Sequence, residues 1–407
     1  MTQQAMDPQE NVHPALDGLT VLDVSRVLAG PYCSMILADL GADVIKIERP
    51  PAGDDTRAWG PPFLGDPSQG LSAYYLSVNR GKRSVCLDLK SQGGRDLFLA
   101  MVAQADVLVE NFAPGVADRL GLGTDVIAAA NPRIVHASIT AFGEEPGSGY
   151  DLVIQGMSGL MSITGSTDGP PTKVGVAITD VIAGLQASSA ILAAIVARQR
   201  SGRGDHISVS LLGSAVAALV NVGQSYLVSG KPPGRWENAH PQIVPYQLFA
   251  SADGFFTVAA GNDKLFTKLC QVIGEVDLAA DARFNTNPLR VANREELITI
   301  LEPIFAAKCT NEWLDALRAV DVPCGPVSSL PELLGQVQQP AGVEMLELVT
   351  SSGESYKTVG PAARLNGRCR DMKPAPLVGE HTEQVLSELL GLDGDRIEQL
   401  RDDGVIR

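Results

Sequence analysis

One carboxylate in this sequence invites chemistry. In "KVGVAITDVIAG", residues 173–184, Asp180 stands alone in an apolar run that continues as "VIAGLQASSAILAAIVA", with no His and no second acid next to it. Thr179 or Asp180 is a good N-cap for the helix that follows, and capping alone would explain an Asp there. A chemical reading is compatible with it. A carboxylate at a helix N-terminus is stabilised as the anion by the macrodipole and the free N–H groups, and an ionised carboxylate can attack an activated acyl group. No nucleophile–base pair competes. His136 lies within an apolar strand and reads as a satisfied core residue, His206 reads as a strand start, and His240 lies in a linker from which it could reach a cleft. Neither G-x-S-x-G nor H-E-x-x-H is present.

Basic residues form a second pattern. Arg49 follows "KIE", Lys82 and Arg83 lie in "NRGKRS", Lys90 follows "LDL" and Arg119 follows "ENFAPGVAD"; Asn111 and Phe112 end a strand of their own. Each alone is an ordinary solvated charge. Repeated at the carboxyl-end side of successive strands, they suit a ligand with several phosphates and an aromatic base. The first strand–turn, "DVSRVLAGPY", lacks G-x-G-x-x-G, which argues against a nicotinamide or flavin site. A helix N-terminus follows that strand all the same and can hold a phosphate.

These residues need a scaffold. "LTVLDV", "DVIKIE", "RSVCLDL", "DVLVENF" and "RIVHASI" read as strands alternating with helical stretches such as "GPYCSMILADLG", with Pro31 placed at the first helical position. Such alternation predicts an α/β fold, a doubly wound, mostly parallel, Rossmann-like sheet with ligands at the carboxyl ends of its strands. "DHISVSLL" is one more strand, followed by a helix through about Leu227. The expected domains are a large one over 1–228, a linker at 229–239, a small α+β domain over 240–325 with a hairpin turning at Ala252–Gly254, and a return to the large domain over 326–407. That return carries a hairpin around "SSGES" and two helices starting near His381 and Asp393.

Bulk properties exclude some classes. A net charge of -15 argues against nucleic acid or an anionic membrane as partner. Val181–Ala197 is apolar but short for a membrane span and reads as a buried helix. Six scattered cysteines, Cys33, Cys86, Cys270, Cys309, Cys324 and Cys369, show no C-x-x-C and suggest neither a metal knuckle nor a disulfide framework. The N-terminus shows no targeting signal. The expectation is a cytoplasmic protein.

Motifs in order along nearly the whole chain, from Leu16 to Val405, resemble the class III CoA-transferases of the CaiB/BaiF type. They are "LDGLTVLDVSRVLAGP", "LGADVIKIERP", "NRGKRSVCLDLK", "ADVLVENFAPG", "SGLMSITG" with "PPTKVGVAITD", "HPQIVPYQLF", "VPCGPV" and "PLVGEHT". Within the family, "GDDTRAWGPPF", "YYLSVNRGKRS", "RWENAHPQIVPYQ" and "NPLRVANREELI" resemble the branch that moves CoA from succinyl-CoA to glutarate or hydroxymethylglutarate. The resemblance implies that Asp180 is the nucleophile, passing through an aspartyl anhydride and an aspartyl-CoA thioester. It implies CoA contacts at Val27, Leu28, Ala29, Arg49, Leu87–Lys90, Asn111, Phe112 and Arg119, CoA or acyl-CoA as substrate with no permanent cofactor or metal, and an interlocked homodimer. Leu28 stands where oxalate-type relatives carry Gln, and their run of glycines is missing, so their details do not transfer. The "SITAFGEEPGSGYD" loop is shortened against many members. For the acceptor's distal carboxylate the candidates are Lys173 and Arg235, with His240 near Arg235 in sequence and Tyr150 a further substrate candidate; Arg235 is preferred because a guanidinium grips a carboxylate in two places, while the bland alternative is that it only braces the linker. Two other functions stand as alternatives. An α-methylacyl-CoA racemase resembles "GHD" where this chain has Gly149-Tyr150-Asp151, and a phenol of reference pKa about 10 is a poor base at neutral pH. A non-catalytic CoA-binding dimer would not need Asp180.

Overall fold

The β-branched runs of the first half become six short strands: β1 (Thr20–Asp23), β2 (Asp43–Glu48), β3 (Lys82–Cys86), β4 (Val107–Glu110), β5 (Val135–Thr140) and β6 (Asp205–Ser210). This is a computed structural model that describes residues 14–335, 340, 342–363, 365 and 372–407. The N-terminal stretch through His13 and Cys369 lie outside the described residues; the other five cysteines are free. All six strands pair in parallel in the order β3-β2-β1-β4-β5-β6. Chain direction across the sheet reverses between β1 and β4, the switch point where such sheets hold their ligands.

Helices follow the strands: α1 (Ala29–Asp39), α2 (Ala73–Val78), α3 (Gln92–Gln104), α4 (Val116–Arg119), α5 (Thr124–Ala130), α6 (Asp151–Met157), α7 (Ile178–Ser201), α8 (Leu211–Ala217) and α9 (Val220–Ser229). A sheet covered on both faces needs apolar residues on both. On one face Val21, Val44 and Val109 pack with α1, α6, α7 and α8; on the other Leu22, Ile45 and Leu108 pack with α3 and α5. Helix α1 starts at Ala29, so Pro31 is its third residue rather than its first. Proline is tolerated there because the first four N–H groups of a helix have no partner inside it. The helix expected to run through Leu227 breaks into α8 and α9, bent by 74°. Lys82 and Arg83 open β3, so they lie at the amino end of the sheet and not at its carboxyl end.

Helix α7 is long and apolar enough to cross a membrane by length and composition alone. Its Ala183, Ala187 and Ile191 are nevertheless fully buried against the unit's own core.

The chain divides into two compact units. The first holds residues 1–160, 173–230 and 341–407, the second 161–172 and 231–340. Residues 161–172 and 326–340 thus group with the second unit, where the sequence reading assigns them to the large domain. The second unit has an antiparallel sheet of β7 (Tyr246–Ala250), β8 (Phe255–Ala259) and β9 (Cys324–Pro326), with α10 (Asp263–Ile273), α11 (Asn287–Ala292), α12 (Arg294–Phe305), α13 (Thr310–Arg318) and α14 (Leu330–Leu334). Its own core gathers Phe249, Phe256, Phe305 and Trp313. The first unit resumes with the hairpin β10 (Met345–Val349) and β11 (Ser355–Val359), then α15 (Thr382–Leu390) and α16 (Gly394–Asp402).

The returning segment closes the outer edge of β3. The Ser84 N–H donates to His381 Nδ1 and the Cys86 N–H to Thr382 Oγ1. The His381 N–H donates to the Ser84 carbonyl, and Leu87 bridges to Ile406. An edge strand is otherwise a row of unpaired backbone groups.

Candidate active site

The turn after β1 is held in an uncommon shape. Val27 has φ 71°, a left-handed conformation that costs a β-branched residue about 1–3 kcal/mol. Three contacts impose it. Asn111, just past β4, accepts from the Arg26 N–H at 2.9 Å and donates to the Arg26 carbonyl at 2.6 Å. Asp54 accepts from the Val27 N–H at 3.3 Å. Beneath the turn lies a buried charged layer. Lys46 pairs with Asp54 at 2.9 Å and donates to the Ser25 carbonyl at 2.9 Å. Lys82 donates to Asp23, the Pro31 carbonyl and Asn79. Burial alone would raise the Asp23 carboxyl, but Lys82, Lys46 and the Ser25 and Ser34 hydroxyls outweigh it and hold it well below the usual carboxylate range. Lys82 is therefore structural, and Arg83 is engaged by Asp43 and Glu388. Neither is left for a ligand.

Above this layer two adjoining cavities share Arg26 and Phe112. One is lined by Arg49, Leu87, Lys90, Phe112 and Val116 among others. The other is lined by Val27, Leu28, Ala29, Asn111, Phe112, Tyr150 and Asp180. Residues from the ends of β1, β2, β3 and β4 and the start of α7 thus meet over the switch point. Arg49 pairs with Asp55, as does Arg26. Arg119, at the end of α4, lines neither cavity and is exposed.

Asp180 does not cap α7. The N-cap is Ala177, which has no polar side chain to offer, and Asp180 is the third helical residue. The cap comes from outside: Asp151, the first residue of α6, accepts from the Thr179 N–H at 2.9 Å and from Thr179 Oγ1 at 2.8 Å. Among the described residues nothing donates a hydrogen bond to Asp180. Burial, and then the Asp151 charge, push its carboxyl up to about 7. The sequence reading anticipates an anion held by the helix end; the structure shows one that burial makes reluctant to ionise. Gly184, one turn further on, brings α7 against α1. A Cβ there would meet the Ala29 carbonyl oxygen at 2.7 Å.

Two residues not singled out in the sequence join this neighbourhood. Tyr74 of α2 is pushed up to about 12 by burial and by the Asp180 and Asp151 charges, and it meets Trp59 edge-to-face at 5.1 Å. The only signal was an aromatic pair in "SAYYLS", which a buried helix face explains as well; indeed Tyr75 is fully buried under Arg57.

The acceptor candidates fare differently. Arg235 belongs to the second unit, where its guanidinium donates to the carbonyls of Ser166, Thr167 and Gly169 at 2.8, 3.1 and 2.5 Å. It braces that loop, in line with the bland reading and against a role as carboxylate reader. Lys173 is exposed and donates to the Val174 carbonyl. His240 accepts from the Gln242 N–H and packs on Tyr246. His136 is buried as expected, but among the described residues neither ring nitrogen has a hydrogen-bond partner, so it is not a satisfied core residue.

A half-buried carboxylate over the switch point, without a glycine-rich phosphate turn, suits group transfer better than dinucleotide-dependent redox chemistry. Comparison with known proteins agrees: CoA-transferase family III matches residues 16–382, and the chain belongs to this family. It is 42% identical over 396 residues to the succinyl-CoA:glutarate CoA-transferase of Mus musculus, covering 96% of this chain and 90% of that protein. It is likewise 42% identical to the succinate–glutarate CoA-transferase of Agrobacterium fabrum, covering 94% and 98%. The crystal structure of a CaiB/BaiF family protein from Brucella suis superposes with a TM-score of 0.80 at 40% identity, covering 93% of this chain and all of that one.

Proposed function

We propose that this CoA-transferase moves CoA from succinyl-CoA to a dicarboxylate of the glutarate or hydroxymethylglutarate type, with Asp180 as its nucleophile. The observation that carries the reading is the Asp180 carboxylate in its cavity, bare of donors and raised in basicity. The names of the two curated relatives support the donor and acceptor classes.

The Asp180 carboxylate attacks the thioester carbonyl. The C–S bond breaks, leaving a mixed anhydride and CoA thiolate. The thiolate attacks the aspartyl carbonyl, releasing succinate and forming aspartyl-CoA thioester. The acceptor carboxylate then attacks that thioester, thiolate leaves again, and its attack on the new anhydride's acceptor carbonyl restores Asp180 and gives the product ester. Backbone N–H groups at the start of α1 would hold the developing oxyanions. Val27, Leu28, Ala29, Asn111 and Phe112 would line the path of the thioester arm, and Arg49, Leu87 and Lys90 the adenosine and phosphate end. Every bond made or broken belongs to Asp180, CoA and the two acids, so the scheme calls for no resident cofactor or metal. Shielding from water protects the anhydride.

The reading extends to an interlocked homodimer with a small domain inserted in the large one. Exposed apolar residues on α6, α7 and α9, including Leu152, Met157, Leu185, Leu227 and Val228, support burial against a second copy. A cytoplasmic location is in keeping with the free described cysteines.

The test is direct. Wild type incubated with succinyl-CoA and then hydroxylamine or borohydride should be modified at Asp180, and Asp180→Ala should lose transfer while staying folded. Full turnover by Asp180→Ala would end the proposal.

A further inference from the structure

We propose that Asp151 is a positioning residue for Asp180: from the neighbouring helix it takes over the capping of α7 and keeps a second negative charge beside the nucleophile, so that acylating Asp180 relieves a repulsion. This rests on the reading of Asp180 as nucleophile.

The geometry has two parts. Asp151 Oδ1 receives both the N–H and the hydroxyl of Thr179, the residue before Asp180. Its Oδ2 receives Gln155 Nε2 at 2.8 Å. Gln155 is fully buried, and it also accepts from the Val174 N–H at 2.8 Å and donates to the Val176 carbonyl at 3.2 Å. One carboxylate and one amide, a helical turn apart on α6, therefore clamp the whole approach from Val174 to Thr179. Asp180 is spared the capping that an acid near a helix start ordinarily performs, and its oxygens are free to react.

The second part is charge. The other titratable groups on the elements around Asp180 include Arg26 after β1, Tyr32 of α1, Tyr74 of α2 and Tyr150 before α6; α7 carries no further charge until Arg198, and α8 carries none. Arg26 shares the Asp55 carboxylate with Arg49. Among the described residues no cation pairs with Asp151, and the effect of its charge on Asp180 adds to that of burial. When Asp180 attacks the thioester carbonyl and the C–S bond breaks, the negative charge leaves with the CoA thiolate. The anhydride is neutral, and the repulsion is gone. A more basic carboxylate is also the better nucleophile.

The experiment compares the pH dependence of kcat/KM in wild type, Asp151→Asn and Thr179→Val. Asn keeps an acceptor for Thr179 but removes the charge. Its acid limb should move down by about one pH unit, the size of a near-neighbour charge effect, and less acyl-enzyme should be trapped at Asp180 at equilibrium with succinyl-CoA. Thr179→Val loses one hydrogen bond and no charge; its activity should fall with the limb in place. Should Asp151→Asn fold poorly, Asp151→Ser, neutral and still an acceptor, gives the same reading. An acid limb that stays put in the neutral variants while wild type is still trapped at Asp180 would overturn this inference alone. Failure to trap wild type at Asp180 would overturn the nucleophile assignment and this inference with it.

Discussion

Replacing Asp180 by Asn should make the protein inactive and more stable. The carboxyl rises from 3.8 to about 7 on folding, through burial first and the Asp151 charge second. A group raised in this way favours the fold in its protonated form. That contribution is whole below about pH 4, is lost as pH climbs toward 7, and above 7 the folded state carries the full cost of the half-buried anion. A shift of this size corresponds to about 4 kcal/mol for a fully buried group. Asp180 retains some exposure, and solvent screening reduces the cost to about 1–3 kcal/mol. Asn has no charge to desolvate. Asp180→Asn should therefore unfold at a higher temperature than wild type at about pH 8 and at nearly the same temperature at about pH 4, with the gap opening between them. Thermal unfolding of both proteins across that range, followed by circular dichroism, makes the measurement. Equal stability at high pH, or an advantage that persists unchanged to low pH, would refute the picture of a strained carboxylate.

Arg49→Ala should raise the KM for both CoA esters about tenfold, as expected for a lost charge-assisted contact, whereas Arg119→Ala, outside both cavities, should change it far less; the reverse ranking would redraw the CoA site. Arg235→Ala should lower activity with glutarate and with a matched monocarboxylate such as valerate by similar factors, because its guanidinium holds the 166–169 loop; loss confined to glutarate would restore it as a carboxylate reader. Gly184→Ala should destabilise the first unit by about 1–3 kcal/mol and lower kcat, since the new Cβ forces α7 off the Ala29 carbonyl; an unchanged melting temperature would show that the helices part at no cost.

Much of this was legible in the residues. The β-branched runs place all six parallel strands, "DHISVSLL" included, and the residues named at their carboxyl ends, Val27 to Ala29, Arg49, Lys90, Asn111 and Phe112, do converge on two adjoining cavities. Charge roles were less readable. Lys82 looked like Arg49 in sequence, yet it is buried on Asp23 at the far end of its strand. A sequence shows that a cation is present but not whether a carboxylate from another strand has already neutralised it. Asp151 was hidden for a related reason: its work is done on Thr179, and only the packing of α6 beside α7 reveals it. Arg235 misled because a guanidinium serves backbone carbonyls as readily as carboxylates.

The closure of β3 by the returning segment bears on how the enzyme is made. Arg57 grips Glu48 beside the first cavity and also reaches the carbonyl of Pro376, 319 residues away in sequence. The turn at Asp88 leans on the Val405 carbonyl. On the ribosome, the sheet's strands are all synthesised well before these partners exist. A nascent chain must therefore wait with an open sheet edge and an unfinished pocket wall, a state prone to wrong pairings. Contacts this distant in sequence also form slowly. Competence to bind a CoA ester should arrive only once the returning segment has been synthesised and has folded against β3, which makes such binding a reporter of the quality of folding.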